Sequence, residues 1–448
     1  MPPRRRRAAC AEAAASAPSS LDALPVPLAL RILALLPADQ RLRCAEVCRA
    51  WRRLVAEPEL WRSLDLGFSS DVARPVSERL LRACLARARG GLQALDLSAC
   101  GFDAMTVCAA LRENPHVTTL SVYDELDAEA LVTHNSAAAL LSMLNAAPAL
   151  RELHADARCR ARDAAPLLQN AAPWGPLRLR ALRLETFPPH ALEPLRPLLQ
   201  DRAVHPSLRE LIFSDCGDIT QEALSLIADF AVARALPALR FCDCNIEANC
   251  LPALGRAVAD GELRELTLNF SGRFWGHCAG MRRLAAALRA NHTLTSFTCS
   301  VGVSLLVHEA VLQSVYSLLG AFRDHASLQK LTASFRAMRV LQRMHTGYDA
   351  RSMGAALGAV IVADAPALTC LDVSCCHLGD EGLIPLLSAL RSNTHLRELV
   401  VAENDMSSGF ARTQLVEAIH ANAGLRQLRT DQSHLTGVRT AMALLASR

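Results

Sequence analysis

A leucine-rich pattern that recurs about every 29 residues constrains the fold of this chain more than any other feature. In each copy, an apolar residue is followed by apolar residues at +3 and +5, often by Cys or Asn at +8, and by another apolar residue at +10. Copies begin at Trp61, Leu92, Val117, Leu150, Leu179, Leu208, Leu236, Leu263, Leu294, Leu328, Leu368, Leu396 and Leu425. Such an array predicts a solenoid, in which each unit buries its apolar side against the next.

The spacing within one copy predicts a strand, a turn and a helix, in that order. Residues at +3 and +5 point to the same side of an extended strand. A Cys or Asn at +8 can bond to backbone groups in the turn that follows. Between copies, the segments Met281 to Leu288 and 383–390 carry apolar residues three and four apart, which is typical of one helix face.

This pattern resembles the leucine-rich repeats of the ribonuclease-inhibitor class, over roughly residues 61–448. The resemblance implies an α/β solenoid shaped as a horseshoe, with parallel strands inside and helices outside. We expect residues 62–448 to form an array of about 12–13 units. Such arrays bind many kinds of molecule, so the fold alone does not define a function.

Residues 21–61 do not follow the repeat and predict three short helices. Pro27 suits the first turn of a helix, and Pro37 ends it. Asp39 is the expected N-cap of a second helix, which ends near Cys44. The third helix is expected from about Val47 to Ala56. In the first helix, we expect one apolar face formed by Leu28, Ile32, Leu33 and Leu36. A unit this small has more apolar surface than it can bury, so a partner or a docking neighbour is expected.

The order and spacing of these residues resemble an F-box, on the matches Leu24-Pro25, Leu28, Ile32-Leu33, Leu36-Pro37, Cys44, Val47-Cys48-Arg49, Trp51-Arg52, Leu54 and Leu60-Trp61. The resemblance implies docking onto a Skp-family adaptor, which joins the chain to a cullin and a RING protein. The positions that match adaptor-facing residues are Leu24, Pro25, Leu28, Ile32, Leu33, Leu36, Pro37, Val47, Cys48 and Trp51. The chain departs from the family at Val26-Pro27, where an acidic residue usually precedes the leucine.

Together, the two resemblances imply the substrate-recognition subunit of a Skp–cullin–F-box ubiquitin ligase. One alternative is a ribonuclease-inhibitor-like binding scaffold with no ligase role. Another is that residues 24–61 only cap the first repeat. For the target, we expect the concave strand face, at Glu210, Ile212, Glu265, Asn269, Asp372 and Glu398. This mixture is modestly acidic and favours a basic or neutral target. Extra residues between Arg336 and Arg351 suggest a specificity loop.

Several function classes lack support in the sequence. No catalytic motif is found, so we expect a non-catalytic chain without cofactors. Cys100, Cys216, Cys244 and Cys376 share one repeat position, and we interpret them as turn residues, not metal ligands. The net charge of +4 gives no case for nucleic acid. No apolar run is long enough to predict a membrane-spanning helix.

The location of the protein is expected to be cytoplasmic, nuclear or both. The chain has 16 cysteines and does not begin with a secretory signal, which predicts reduced thiols. Residues 1–20 are rich in Arg and Ala and are expected to be a disordered tail, with organelle transit or nuclear import as alternatives. Lys330 is the only lysine in the sequence. If the chain is modified within its own ligase, we expect Lys330 to be the internal acceptor.

Overall fold

The computed structural model of the chain describes residues 24–67, 76–98, 100–122, 142–156, 178–186, 207–246, 250–270, 278–301, 309–335 and 349–448. The expected tail at 1–20 lies outside these residues. Residues 336–348, which form most of the expected specificity loop, also lie outside them.

A parallel sheet runs through the repeats, and the leucine pattern sets where its strands begin. Each of the thirteen expected starts is followed, two residues later, by the first residue of a strand. These strands are β1 Ser63–Asp65, β2 Ala94–Asp96, β3 Thr119–Val122, β4 Glu152–Asp156, β5 Ala181–Glu185, β6 Glu210–Ser214, β8 Ala238–Ile246, β9 Glu265–Phe270, β10 Ser296–Val301, β11 Lys330–Ser334, β12 Cys370–Asp372, β13 Glu398–Val400 and β14 Gln427–Arg429. The short strand β7, Asp218–Ile219, pairs only with β8. The other strands neighbour one another in chain order.

The strands pair in phase, and this register stacks equivalent leucines. Leu95 pairs with Leu64 on one side and with Leu120 on the other. All three are buried, as is the equivalent leucine of the last unit, Leu428. Because each unit contributes the same apolar positions, one continuous core runs from the N-terminal helices to the last helix.

Helices return the chain on the other side of the sheet and pack against helices of neighbouring units. They are α4 Glu78–Ala88, α5 Ala104–Glu113, α6 Gln221–Arg234, α7 Leu251–Asp260, α8 Cys278–Ala290, α9 Glu309–Gly320, α10 Ala350–Val362, α11 Gly379–Ser392 and α13 Thr436–Ala446. Between α11 and α13, helix α12 comprises Ser408–Phe410, a π-helical turn Ala411–Leu415, and Val416–Ala421. Three short helices precede the sheet: α1 Val26–Ala34, α2 Ala38–Val47 and α3 Arg49–Val55. This architecture confirms the predicted α/β fold, a helical unit followed by a repeat solenoid.

In five of the described units, the turn after the strand contains a side chain that bonds to the unit before it. The thiol of Cys100 donates to the carbonyl oxygen of Leu66 at 3.1 Å, and the amide of Asn404 donates to that of Val373 at 2.9 Å. Equivalent bonds are made by Cys216, Cys244 and Cys376. These four cysteines are therefore turn residues, as the sequence pattern predicted.

A second row of polar side chains, which the sequence analysis missed, lies three residues before the repeat start. The amide of Asn393 donates to the carbonyl oxygen of Ile361 at 2.9 Å, and its oxygen accepts from the backbone of Leu396 at 2.8 Å. Asn291 and Asn422 make the same pair of bonds. The recurrence of Asn at this offset was the signal that would have identified the row.

Candidate functional site

The three N-terminal helices are separated by residues that end one helix and begin the next. Pro27 lies in the first turn of α1, as predicted. Helix α2 begins at Ala38 after Pro37 and continues to Val47, so Asp39 is not its N-cap. Asp39 lies instead in the first turn, where a carboxylate is favoured by the helix dipole. Helix α3 begins at Arg49 because Cys48 is extended, and the Cys48 sulfur accepts a bond from the backbone N–H of Trp51 at 3.4 Å.

Helix α1 is apolar on two opposite faces. Its inward face consists of Ala29, Leu30 and Leu33, which are buried. Its outward side carries Leu28, which is 44% exposed, and Ile32, which is 37% exposed. The C-cap residue Leu35 lies on the same side and is 84% exposed. These three residues are spaced by four and three, so they form one stripe. A helix that buries one apolar face and exposes another is built to be covered on both sides.

The prediction that Leu28, Ile32, Leu33 and Leu36 share one face of α1 is wrong. Leu33 is only 1% exposed and belongs to the core, so it cannot contact an adaptor while the helix keeps this position. Leu36 is partly buried and packs against the same core. The sequence placed these residues with Leu28 and Ile32 because α1 is apolar nearly all round, and periodicity alone does not say which side faces the repeats.

The outward stripe is part of a larger exposed apolar surface. Val26 and Val47 are also exposed, and we call Val26, Leu28, Ile32, Leu35 and Val47 the outer apolar surface. Among the described residues, eight large hydrophobic side chains are exposed, and five of them are these. Val26 and Leu35 were not among the expected adaptor contacts. Such clustering within one small unit indicates a binding surface, because scattered apolar residues would need no explanation.

The other expected adaptor contacts vary in exposure. Pro25 and Pro37 are exposed, whereas Leu24, Cys48 and Trp51 are half-buried. Trp51 packs against the core of the helical unit. These residues can contribute to the edge of the outer apolar surface, and their adaptor role stays a prediction.

A buried arginine joins the helical unit to the first repeat. The guanidinium of Arg41 donates to the carbonyl oxygens of Ala34 at 2.8 Å and Leu36 at 2.7 Å, near the C-terminal end of α1. It also donates to Leu60 at 3.2 Å and Ser63 at 3.4 Å, beyond α3. Burial lowers the pKa of Arg41, while nearby acidic groups, including the Asp65 carboxylate, act in the opposite direction. No sequence pattern predicted this role for Arg41.

Trp61 makes the second tie between the helical unit and the repeats. Its side chain is fully buried, and the indole N–H donates to the carbonyl oxygen of Val55, the last residue of α3, at 2.8 Å. Two residues later, Ser63 begins the first strand. The helical unit and the solenoid therefore share one packed junction, in which the turn Pro58–Trp61 packs against α4 of the repeats on one side and against α1 on the other.

The open face of the sheet, which we call the concave face, carries residues at +2, +4 and +6 of each unit. In-phase pairing brings Glu210 and Glu265 to either side of β8, where Arg240 lies 3.0 Å from one carboxylate and 2.9 Å from the other. Glu398 lies 2.9 Å from Arg429 in the same way. Three of the expected acidic contacts are thus paired with arginine, which reduces the acidic character that the sequence suggested.

The remaining expected target contacts also lie on the concave face. Asp372 accepts bonds from the backbone and hydroxyl of Ser374, so it also stabilises the end of its own strand. The Asn269 amide donates to Asp243 at 3.0 Å. Ile212 lies half-buried on β6. The structure brings all six expected residues to one face, and their target role stays a prediction.

Within the described part of the chain, no group of three or more His, Cys, Asp or Glu side chains is arranged to hold a metal ion. A search of the same residues found no helix long and apolar enough to span a membrane.

Comparison with known families agrees with both parts of the molecule. A leucine-rich-repeat family model matches residues 366–387, and an F-box-like family model matches residues 21–67. The fold defines a leucine-rich-repeat protein. More particularly, an F-box-like domain precedes the leucine-rich repeats. Both kinds of domain are typically non-catalytic recognition or adaptor modules. A solved structure of the Rad7 and Elc1 complex in yeast is also similar, with 16% identity over 78% of this chain and 81% of that chain, and a TM-score of 0.36.

Proposed function

We propose that this chain is the non-catalytic substrate-recognition subunit of a Skp–cullin–F-box ubiquitin ligase. The F-box docks onto a Skp-family adaptor, which connects it to a cullin and a RING protein, and the repeats bind a target protein. The observation that carries this proposal is the outer apolar surface of the F-box helices.

The chemistry of that surface suits a protein partner. Leu28, Ile32 and Leu35 form a stripe one helix face wide, which fits a groove between helices of a partner. Each leucine or isoleucine that becomes fully buried contributes roughly 1.5–3 kcal/mol, part of which offsets the loss of freedom on association. Val26 and Val47 extend the contact at its edges.

The junction supports a positioning role. Arg41 donates to the carbonyl oxygen of Ser63, the first residue of β1, and Trp61, two residues before that strand, donates to Val55 of α3. An adaptor held on the outer side of α1 therefore has a fixed direction relative to the concave face. A rigid assembly of this kind presents the target to the ubiquitin-loaded enzyme at a constant distance, which is catalysis by proximity. This chain supplies the position and no catalytic group.

The target is proposed to bind the concave face, near Glu210, Ile212, Glu265, Asn269, Asp372 and Glu398. Because Arg240 pairs with two of these glutamates, the face offers both signs of charge. A target with mixed charge and hydrogen-bonding groups fits this face better than a uniformly basic one.

We also propose that the protein resides in the cytoplasm, the nucleus or both. The cysteines in the turns act as thiol donors to backbone carbonyl oxygens. This use of the thiol group depends on the reduced state, which those compartments maintain.

Co-purification with a Skp-family adaptor tests the proposal. The variant Leu28→Asp/Leu35→Asp changes two exposed positions of the outer apolar surface. Its control is Met105→Asp/Ile384→Asp, because those residues are also exposed, at 47% each, but lie on helices of the repeats. The wild type and the control are expected to retain the adaptor, while the F-box variant loses about nine-tenths of it or more. Equal recovery from all three would overturn the proposal and favour a binding scaffold with no ligase role.

A further inference from the structure

The chain has one lysine among its 48 lysine and arginine residues, and the structure places that lysine on the concave face. Lys330 is the first residue of β11 and occupies the +2 position. Leu331, the next residue along the strand, points into the core and is fully buried. Because side chains alternate along a strand, Lys330 faces the open side of the sheet, where it is exposed.

Small side chains surround this lysine. In-phase pairing puts Ser296 on one side of it and Cys370 on the other, and Thr332 follows on the same face of its own strand. Neighbouring strands lie about 4.8 Å apart. The long lysine side chain therefore rises above its neighbours, and its amino group is accessible from the space in front of the concave face.

A lysine differs from the other cationic side chains of this chain in its chemistry. An amine can lose a proton and act as a nucleophile, whereas an arginine guanidinium stays protonated in proteins. The other positively charged side chains on the concave face include Arg183, Arg240 and Arg429. None of these arginines can form an amide with an activated carboxyl group under ordinary conditions.

We infer that Lys330 is the internal ubiquitin acceptor of this chain, and that it is reached because it lies on the face where targets are presented. This inference rests on the proposed ligase role. In that role, the ubiquitin-loaded enzyme must reach lysines of a target held at the concave face. When no target is bound, Lys330 is the amine that occupies this space.

The chemical step is an aminolysis. The neutral ε-amine of Lys330 attacks the carbonyl carbon of the thioester that joins the ubiquitin C-terminus to the conjugating enzyme's cysteine. A C–N amide bond forms and the C–S bond breaks. The enzyme leaves as its thiol, and the proton lost by the amine balances the thiolate that is released.

Reconstitution with defined components tests the site. The full chain is assembled with a Skp-family adaptor, a cullin, a RING protein, a conjugating enzyme and ubiquitin, after acetylation of its α-amino group. Conjugates are mapped by mass spectrometry. The wild type is expected to carry ubiquitin on Lys330, and Lys330→Arg is expected to lower total modification about tenfold or more, because arginine cannot replace the amine.

Lysines introduced at two other positions test whether an amine must lie on the concave face to be modified. In the Lys330→Arg background, Ser296→Lys returns an amine to the concave face one strand away, and Arg282→Lys puts one on the exposed side of helix α8. Modification is expected to return with Ser296→Lys and to stay low with Arg282→Lys. Equal modification of the two, or no loss in Lys330→Arg, would overturn the inference.

Adaptor retention, measured on the same samples, separates this inference from the proposed function. If the wild type retains the adaptor but Lys330 is not modified, the inference is wrong and the proposed function stands. If the wild type fails to retain the adaptor, the proposed function is wrong and the inference falls with it. Circular dichroism of each variant verifies that the substitutions leave the fold intact.

Discussion

The guanidinium of Arg41 lies 3.4 Å from the carbonyl oxygen of Ser63, the first residue of β1, and this contact crosses the boundary between the F-box and the repeats. The same side chain bonds to the carbonyl oxygens of Ala34 and Leu36. One planar cation thus holds the end of α1, the segment that leads into the first strand, and the start of that strand. A guanidinium suits this role because its donors diverge in one plane.

Replacing Arg41 should therefore destabilise the junction. We expect Arg41→Met to lower the free energy of unfolding by about 2–4 kcal/mol, since several buried carbonyl oxygens lose a charged donor. Arg41→Lys should recover only part of this loss, because one ammonium cannot reach all these acceptors. Urea unfolding, with exposed Arg43→Met as the control, measures the difference. A fully stable Arg41→Lys variant would show that the divergent geometry is not needed.

The turn position of the repeats allows a second prediction. Asn404 donates to the Val373 carbonyl oxygen and also accepts from the backbone N–H of Leu378 at 3.2 Å. Asn404→Leu leaves both groups without a partner and should cost about 2–4 kcal/mol. Asn404→Cys should cost less, because a thiol can still donate, as Cys376 does at the same position of the preceding unit. Thermal unfolding of the two variants tests this order, and a less stable Cys variant would contradict it.

A third prediction concerns the thiol beside Lys330. Burial, and then the negative charge of Glu398, raise the pKa of Cys370 to about 11, against the opposing effect of Lys330. Because the thiolate is the reactive form, alkylation of Cys370 should be slow near pH 8 and should accelerate until about pH 11. Glu398→Gln removes one cause of the raised pKa, so the reaction at pH 8 should become faster.

Peptide mapping after brief treatment with iodoacetamide gives the rate at Cys370 separately from the other thiols. Glu152→Gln changes a glutamate at the same repeat position on the distant strand β4, and should leave the rate unaltered. A slower reaction in Glu398→Gln would contradict the assigned electrostatics.

The strands of the fold were predictable from the sequence, since the spacing of Leu92, Leu95 and Leu97 encodes which side of an extended strand is buried. The thirteen predicted repeat starts locate thirteen strands, because every unit repeats the same pattern of buried residues. The faces of α1 were not predictable in the same way. Leu28 and Leu33 are both large and aliphatic, and only the packing of α1 against α3 and the turn Pro58–Trp61 decides that Leu33 is inside.

The arrangement of charges on the concave face depended on contacts between distant residues. Glu210, Arg240 and Glu265 belong to three units, and their pairing follows from the relative register of the strands. Arg41 is a stronger example, because its acceptors come from separate segments of the chain. The local sequence pattern indicates which residues are buried, but it does not indicate which backbone carbonyl oxygens converge on one buried cation.

The central claim is that the outward face of α1 binds the adaptor, and a calorimetric titration of the full chain with a purified Skp-family adaptor tests it most directly. The wild type should bind with a negative heat-capacity change, the mark of apolar burial. Ile32→Asp should weaken the affinity by about tenfold or more, since it would bury an unpaired charge. The exposed repeat variant Met105→Asp should bind like the wild type. Unchanged affinity in Ile32→Asp, or no binding by the wild type, would contradict the claim.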